Sequence, residues 1–156
     1  MKVFESVLYS MVKLALPEHK VLYSFQDMQL PNVKYVLITI INAYPDFATP
    51  DTRYIKKEEK DLQVDSFLYS IVVQFDIFKE LSFQNGLLLA NSLYSQDTTD
   101  LLTSNNIGKS GFDAVQYIPV DHNGAYEDRS FFTVTFKYCF SSQQEIERIN
   151  NLIFKE

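Results

Sequence analysis

From Ser130 to Phe140 apolar and polar positions alternate without a break. Phe132, Val134, Phe136, Tyr138 and Phe140 fall on one side, and Thr133, Thr135, Lys137 and Cys139 on the other. A period of two with one apolar face predicts a strand lying on a core. Just upstream, Asp121-His122-Asn123-Gly124 supplies residues that tolerate positive φ, which predicts a tight reversal with Val115–Pro119 pairing back as a hairpin arm. The same period runs through Leu62–Phe78, where Phe67, Tyr69, Ile71, Val73, Phe75 and Ile77 share a face and Ser66, Ser70, Gln74 and Asp76 lie opposite. Val33–Ala43 is different: Val33, Tyr35, Leu37 and Ile41 on one side and Val36, Ile38 and Ile40 on the other are all apolar. Such a strand belongs in the middle of a sheet, or has its second face covered by helices.

Elsewhere the spacing is helical. Phe4, Val7, Leu8, Met11, Val12 and Ala15, followed by Pro17, predict an amphipathic helix over Val3–Leu16. Glu80–Leu93 reads as a second helix with Phe83, Leu87, Ala90, Leu93 and Tyr94 in line, and Asp97–Leu102 either extends it or begins a third, capped by Asp97. Val21–Phe25 fits a short strand, and Asn105–Gly111 a loop. Tyr44 to Asp61, with Pro45, Pro50, Asp46, Asp51 and mixed charges, reads as a long polar loop leaving the core of a single domain that spans residues 1–156. In Ser141–Glu156, Ile146, Ile149, Leu152 and Ile153 suit a helix, the expectation taken forward, while Asn151–Phe154 also suits an edge strand. The sum is an α+β fold: a mostly antiparallel sheet of about four to five strands with about two to three helices packed on one face.

At 156 residues the chain fits one domain able to bury roughly 70% of its unfolded surface. Its 46% hydrophobic and 22% charged content is that of a soluble globular protein. Ten Tyr and thirteen Phe, with no Trp, point to aromatic-rich strands or to surfaces that a partner covers. The formal charge of −6, with 14 basic against 20 acidic residues, lacks the Lys/Arg clustering that phosphate binding requires. Cys139 is the single cysteine, which excludes an internal disulfide, and its place between Tyr138 and Phe140 suggests a packing role. The N-terminal apolar stretch contains Glu5 and Lys13 and no small-residue cleavage site, so no signal peptide is expected. No apolar run approaches the roughly 18 residues of a membrane span, and no membrane association is expected.

The chain offers little to a catalyst. His19 and His122 sit in connecting segments without a ligand-spaced neighbour, and the four glycines form no phosphate-cradling string. Glu127 and Asp128 are adjacent, so on an extended backbone they point to opposite sides and cannot cooperate as acid and base. No catalytic residue, cofactor or metal is expected. What remains is Tyr126-Glu127-Asp128-Arg129 at the entrance to the long strand. It is either a local ion pair, worth up to about 1 kcal/mol, or a contact in which Glu127 and Arg129, two apart and on one face, meet a neighbouring subunit.

Several of these stretches occur together in a known order. Pro31…Tyr35-Val36, Val72-Val73-Gln74-Phe75-Asp76, an Ala/Leu-containing helix, Ile107-Gly108, and Asp121…Tyr126-Glu127-x-Arg129-x-x-Phe132-x-Val134-x-Phe136-x-Tyr138 together resemble the neck and tail-terminator proteins of tailed bacteriophages. The resemblance is best over the C-terminal part of the chain. It departs from the family's longer, more basic middle helix. It implies a subunit located in the virion, at the tail and neck, after assembly in the host cytoplasm. The subunit would form a homo-oligomeric ring, usually of six, that caps the tail tube, stops its growth and meets the neck or head-completion protein. In a contractile tail it would also meet the sheath protein, and DNA would pass through without specific binding, which suits an acidic annulus. On this reading Arg53, Lys56, Lys57 and Glu58 of the excursion, and Asp121, Tyr126, Glu127 and Arg129 of the turn, are the candidate subunit and partner contacts. Another phage joint, such as a tail-completion, head-closure or tube-like protein, and a ligand-binding module with aromatics lining a pocket are the competing readings.

Overall fold

A computed structural model of the chain describes residues 2–25, 30–47, 49–57, 60–122 and 125–146. In chain order the elements are α1 (Lys2–Ala15), β1 (Lys20–Tyr23), β2 (Tyr35–Pro45), β3 (Asp51–Lys57), β4 (Lys60–Phe78), α2 (Ser82–Ser92), α3 (Gln96–Ser104), β5 (Ile107–Phe112), β6 (Gln116–Tyr117), β7 (Val120–His122), β8 (Ala125–Glu127) and β9 (Arg129–Ile146). Among the described residues the principal sheet has seven strands in the order β1-β2-β4-β9-β5, with β3 also paired to β4 and β6 to β9; β7 and β8 form a separate ribbon. The sheet is therefore larger than the four to five strands expected. It is also mixed, because β1 runs parallel to β2 while the other pairings are antiparallel.

The alternation read from the sequence sets the core. Val36 and Ile38 on β2, Ile71, Val73, Phe75 and Ile77 on β4, and Phe132, Val134 and Phe136 on β9 all point to one face. There they join Phe4, Leu8, Met11 and Val12 of α1, Leu89 and Ala90 of α2 and Leu102 of α3 in one buried cluster. All three helices thus lie on one face, and rings interlock across the layer: Phe4 meets Phe136 edge-on at 5.8 Å. On the other face Tyr35 stacks on Phe78 at 4.6 Å and joins Leu22 in a small second cluster. The second apolar side of β2 is accordingly filled by neighbouring strands, with no helix needed. A β-bulge between Ile40 and Asn42 breaks the phase, leaving Ile41 exposed where strict alternation would have set it beside Leu37.

Several expectations are corrected. The buried stripe of α2 is Ser82, Gly86, Leu89 and Ala90, while Phe83 and Leu87 are exposed. Gly86 explains the shift: a Cβ there would stand 2.7 Å from Ser130 Oγ, so the glycine lets the helix approach β9 closely. The third helix is separate, and its cap is Ser95, which accepts the Thr98 N–H at 3.3 Å; Asp97 sits in its first turn. Most of Asn105–Gly111, read as loop, belongs to the strand β5, Ile107–Phe112. Much of the stretch 44–61, read as a loop, is strand: Tyr44 and Pro45 end β2, Asp51–Lys57 is β3, and Lys60 and Asp61 begin β4. Ser141–Ile146 continues β9 as strand, and the rest of the C-terminal expectation, 147–156, lies outside the described residues. Cys139 is exposed, not packed. Val115–Pro119 does fold back, through Gln116–Tyr117 against Phe131–Ser130, but the β7–β8 ribbon intervenes; its turn, 123–124, lies outside the described residues.

His19 closes the turn between α1 and β1. Its carbonyl accepts from Lys13 Nζ at 2.6 Å, its ring is buried, and neither ring nitrogen has a hydrogen-bond partner among the described residues. Burial, then Lys34, hold its pKa below the ordinary 6.5. A folded pKa below the unfolded one means that the unfolded state takes up the proton first, so stability falls as pH drops below the unfolded value. The melting temperature should decline between about pH 7.5 and about pH 5.5, and His19→Leu should flatten that decline. Parallel pH profiles by circular dichroism check this.

Candidate assembly interface

The outstanding surface is one end of the sheet. Buried positions stop at Ser70 on β4 and at Phe136 on β9, and from there to the distal ends of both strands every described side chain is half-buried or exposed. Strand β3 continues the edge that β2 leaves, since β2 ends with Pro45 opposite Tyr69 and β3 begins with Asp51 opposite Ser66. The result is a three-stranded arm, β3-β4-β9, reaching roughly 30 Å past the helical layer at about 3.3 Å per residue. It carries Tyr54 at 71% exposure and exposed Phe140 on one face and exposed Ile55 on the other, while exposed Tyr44 on β2 and Phe47, at 68%, in the β2–β3 connection lie beside its root. At its root, Ala43, Tyr69, Ile71, Tyr138 and Phe140 line an open apolar groove of about 280 Å³. Isolated exposed apolar residues are ordinary; several gathered on a ribbon that no helix covers, beside an apolar groove, mark a contact surface.

The arm's root is pinned on the face away from the helices. Lys137 Nζ donates to Asp46 Oδ2 and to Ser70 Oγ, each at 2.6 Å, and Ser70 donates to Asp46. These bonds, first that from Lys137, hold the Asp46 pKa below the usual carboxylate range. They tie the β2–β3 connection to both central strands where the apolar core has run out.

The residues singled out in the sequence separate into two groups at opposite ends of β4. At the arm's tip, Arg53 pairs with exposed Asp51, Nη2 to Oδ2, at 2.9 Å; Lys56 is exposed beside Asp61 in register, and Lys57 ends β3. Glu58 lies outside the described residues. At the other end, Asp121 faces Tyr126 in the β7–β8 ribbon, and Tyr126 is 80% exposed. Glu127 and Arg129 point to different partners within the chain. Glu127 pairs with Lys79 at 2.7 Å, whereas Arg129 Nε and Nη2 donate to Asp76 Oδ1 at 2.9 and 2.6 Å. Gln74 Nε2 completes that carboxylate's shell at 3.0 and 2.8 Å. Tyr117 donates to Asp128 at 2.7 Å, which holds the ribbon's far side and raises the Tyr117 pKa. The sequence alone does not place Asp76, Gln74 or Lys79 at the site: Asp76 and Lys79 act through partners remote in the chain, and Gln74 acts by holding Asp76 from two residues away on β4.

Beneath this network the Tyr35 hydroxyl is buried without a hydrogen-bond partner among the described residues. Burial, then the charges of Glu127 and Asp76, push its pKa up to about 12. Removing an unpaired buried hydroxyl costs nothing in hydrogen bonding. Tyr35→Phe should therefore leave the melting temperature unchanged or raise it, as a thermal melt will show.

Among the described residues no group of three His, Cys, Asp or Glu side chains could hold a metal, and no helix is long and apolar enough to cross a membrane. What this architecture offers is contact: a pinned, uncovered arm at one end and a charged ribbon at the other, as in a structural subunit. In agreement with that class, residues 2–156 match the family model of the phage neck terminator protein, and the chain belongs to that family. No curated protein matches it. Among solved structures, one that is similar is the cryo-EM structure of the sheath/tube terminator of an extracellular contractile injection system, PVC, in its extended state. The identity is 9% and the TM-score 0.48, with 100% of this chain and 64% of that one covered. This chain spans less than two thirds of that terminator's length.

Proposed function

We propose that this chain forms a closed ring, of about six copies by the family resemblance, that seats on the finished tail tube, stops its growth and presents its other side to the neck. The observation that carries the reading is the uncovered arm. Three strands without a helical layer and with Tyr54, Ile55 and Phe140 exposed gain their burial from neighbours. Arg53, Lys56 and Lys57, at the arm's tip, together with Glu58, are assigned to contacts between subunits or with the tube. Asp121 and Tyr126 at the ribbon are assigned to the axial partner, with Glu127 and Arg129 holding the ribbon in place through Lys79 and Asp76. The head-completion protein lies on the neck side of the ring, the sheath protein joins in a contractile tail, and DNA crosses an acidic annulus without being held.

The test is a tube-assembly assay. Polymerising the phage's tube protein in the presence of this chain should give shorter tubes that carry a cap at one end in electron micrographs. Tubes of unchanged length with bare ends would overturn the proposal. So would long stacked cylinders of this chain alone, the behaviour of a tube protein.

A further inference from the structure

The arm has two open edges, and their geometry identifies what joins them. β4 is paired on both sides along the arm, with β3 on one and β9 on the other. Among the described residues, β9 has no neighbour beyond Tyr138, where β5 stops, and β3 has none on its outer side. Over the described residues the free edge of β9 is taken as Cys139–Gln144 and that of β3 is Asp51–Lys57, six residues against seven.

The direction of the free backbone groups follows from bonds already in place. The carbonyls of Arg129 and Thr133 accept on the β5–β6 side, from Ile118 and Asp113. The pairing of β9 with β4 has no register shift. N–H and C=O of one residue point the same way and alternate along a strand, so Cys139, Ser141 and Gln143 direct theirs to the open edge. On β4 the Leu68 carbonyl accepts from Asp46, on the β2–β3 side. Even-numbered β4 residues therefore bond β3, and Thr52, Tyr54 and Lys56 of β3 direct their groups outward. Exposed edges of this kind are usually blunted by charge, proline or a bulge. Cys139 to Gln144 contains none of these.

We infer that the β9 edge of one subunit pairs with the β3 edge of the next copy, extending the three-stranded arm into a continuous sheet around the ring. This rests on the ring proposed above and names the surfaces that close it. Both strands run antiparallel to β4, so a rotation about a ring axis brings β9 of one copy parallel to β3 of the next. A parallel ladder sets a residue bonding across the gap opposite one that bonds away from it. The two edges have that phase, odd-numbered residues of β9 lying opposite odd-numbered residues of β3. Side chains then continue on their own faces, with Arg53 on the same face as Ser141, Gln143 and Glu145. Pairing of β9 with its own copy would be antiparallel and would stop at a dimer.

Cysteine pairs test the assignment. In a Cys139→Ser background, Arg53→Cys is combined in turn with Ser141→Cys, Gln143→Cys or Glu145→Cys, which covers the stagger that ring closure imposes. Within one subunit the two strands lie two spacings, about 9.6 Å, apart, beyond the roughly 7 Å that a disulfide spans, so any bond formed is between copies. Oxidation of at least one pair should give a ladder of covalent multimers ending at the size of the ring, in variants whose circular dichroism matches that of the parent. If rings are visible in micrographs yet no pair cross-links, or if Gln143→Cys alone yields covalent dimers efficiently, the edge assignment is wrong while the ring stands. If neither rings nor multimers form, both fail together.

Discussion

Arg129→Ala is expected to lower the free energy of unfolding by about 3–5 kcal/mol. Asp76 is the reason: its side chain is 4% exposed, and among the described residues Arg129 is its cationic partner, through Nε and Nη2 at 2.9 and 2.6 Å. Without the guanidinium the carboxylate keeps the Gln74 amide but no opposing charge, and a buried charge stripped of its partner costs far more than the pair contributes when intact. Arg129 also lies over the Phe131 ring at 5.1 Å, so alanine removes packing as well as charge. The double substitution Asp76→Leu with Arg129→Met should cost less than Arg129→Ala alone, because it leaves no orphaned ion. Urea titrations of the three proteins check the order; equal midpoints for parent and Arg129→Ala would show that the pair is not a buried one.

The second large effect is on assembly and not on folding. Gln143→Pro should abolish rings while leaving a folded subunit. Proline is tolerated in a sheet only where its missing N–H would have faced outward. Gln143 is exposed, and its N–H points to the open edge of β9, so the bonds from β9 to β4 survive. Val64 lies opposite it on β4, and the substitution leaves that register intact. Gln144→Pro is the contrasting variant: its N–H bonds toward β4, so it should destabilise the arm itself. Size-exclusion elution reads the first effect and hydrogen exchange along β4 the second.

How much of this was legible in the sequence depended on what enforced the pattern. The phase of β4 and β9 was readable because Phe75, Phe132, Val134 and Phe136 lie against helices, and burial on one face is what produces alternation. Where the helices end, so does the signal. Ser141 to Glu145 has no apolar face, and the strand persists there because β4 continues beside it as a template. β3 was hidden by Pro45, Pro50 and its charges, which read as loop but suit an edge strand. The stripe of α2 was misread because its closest approach to the sheet is made by Gly86, a residue with no hydrophobic weight. The Asp76–Arg129 pair joins residues 53 apart in the chain, and no local pattern encodes such a pairing. Of the interface candidates, the sequence marked the charged and aromatic residues at both ends of the sheet. It did not reveal that Glu127 and Arg129 have partners of their own within the subunit.

Everything proposed for this phage neck terminator turns on whether copies join through their arms. Mass photometry of the purified chain, set beside Gln143→Pro, measures that directly. A single closed species of about six subunit masses for the parent, replaced by monomer in the variant, is the predicted result. A parent that stays monomeric up to micromolar concentration, or a variant that assembles as the parent does, would contradict it.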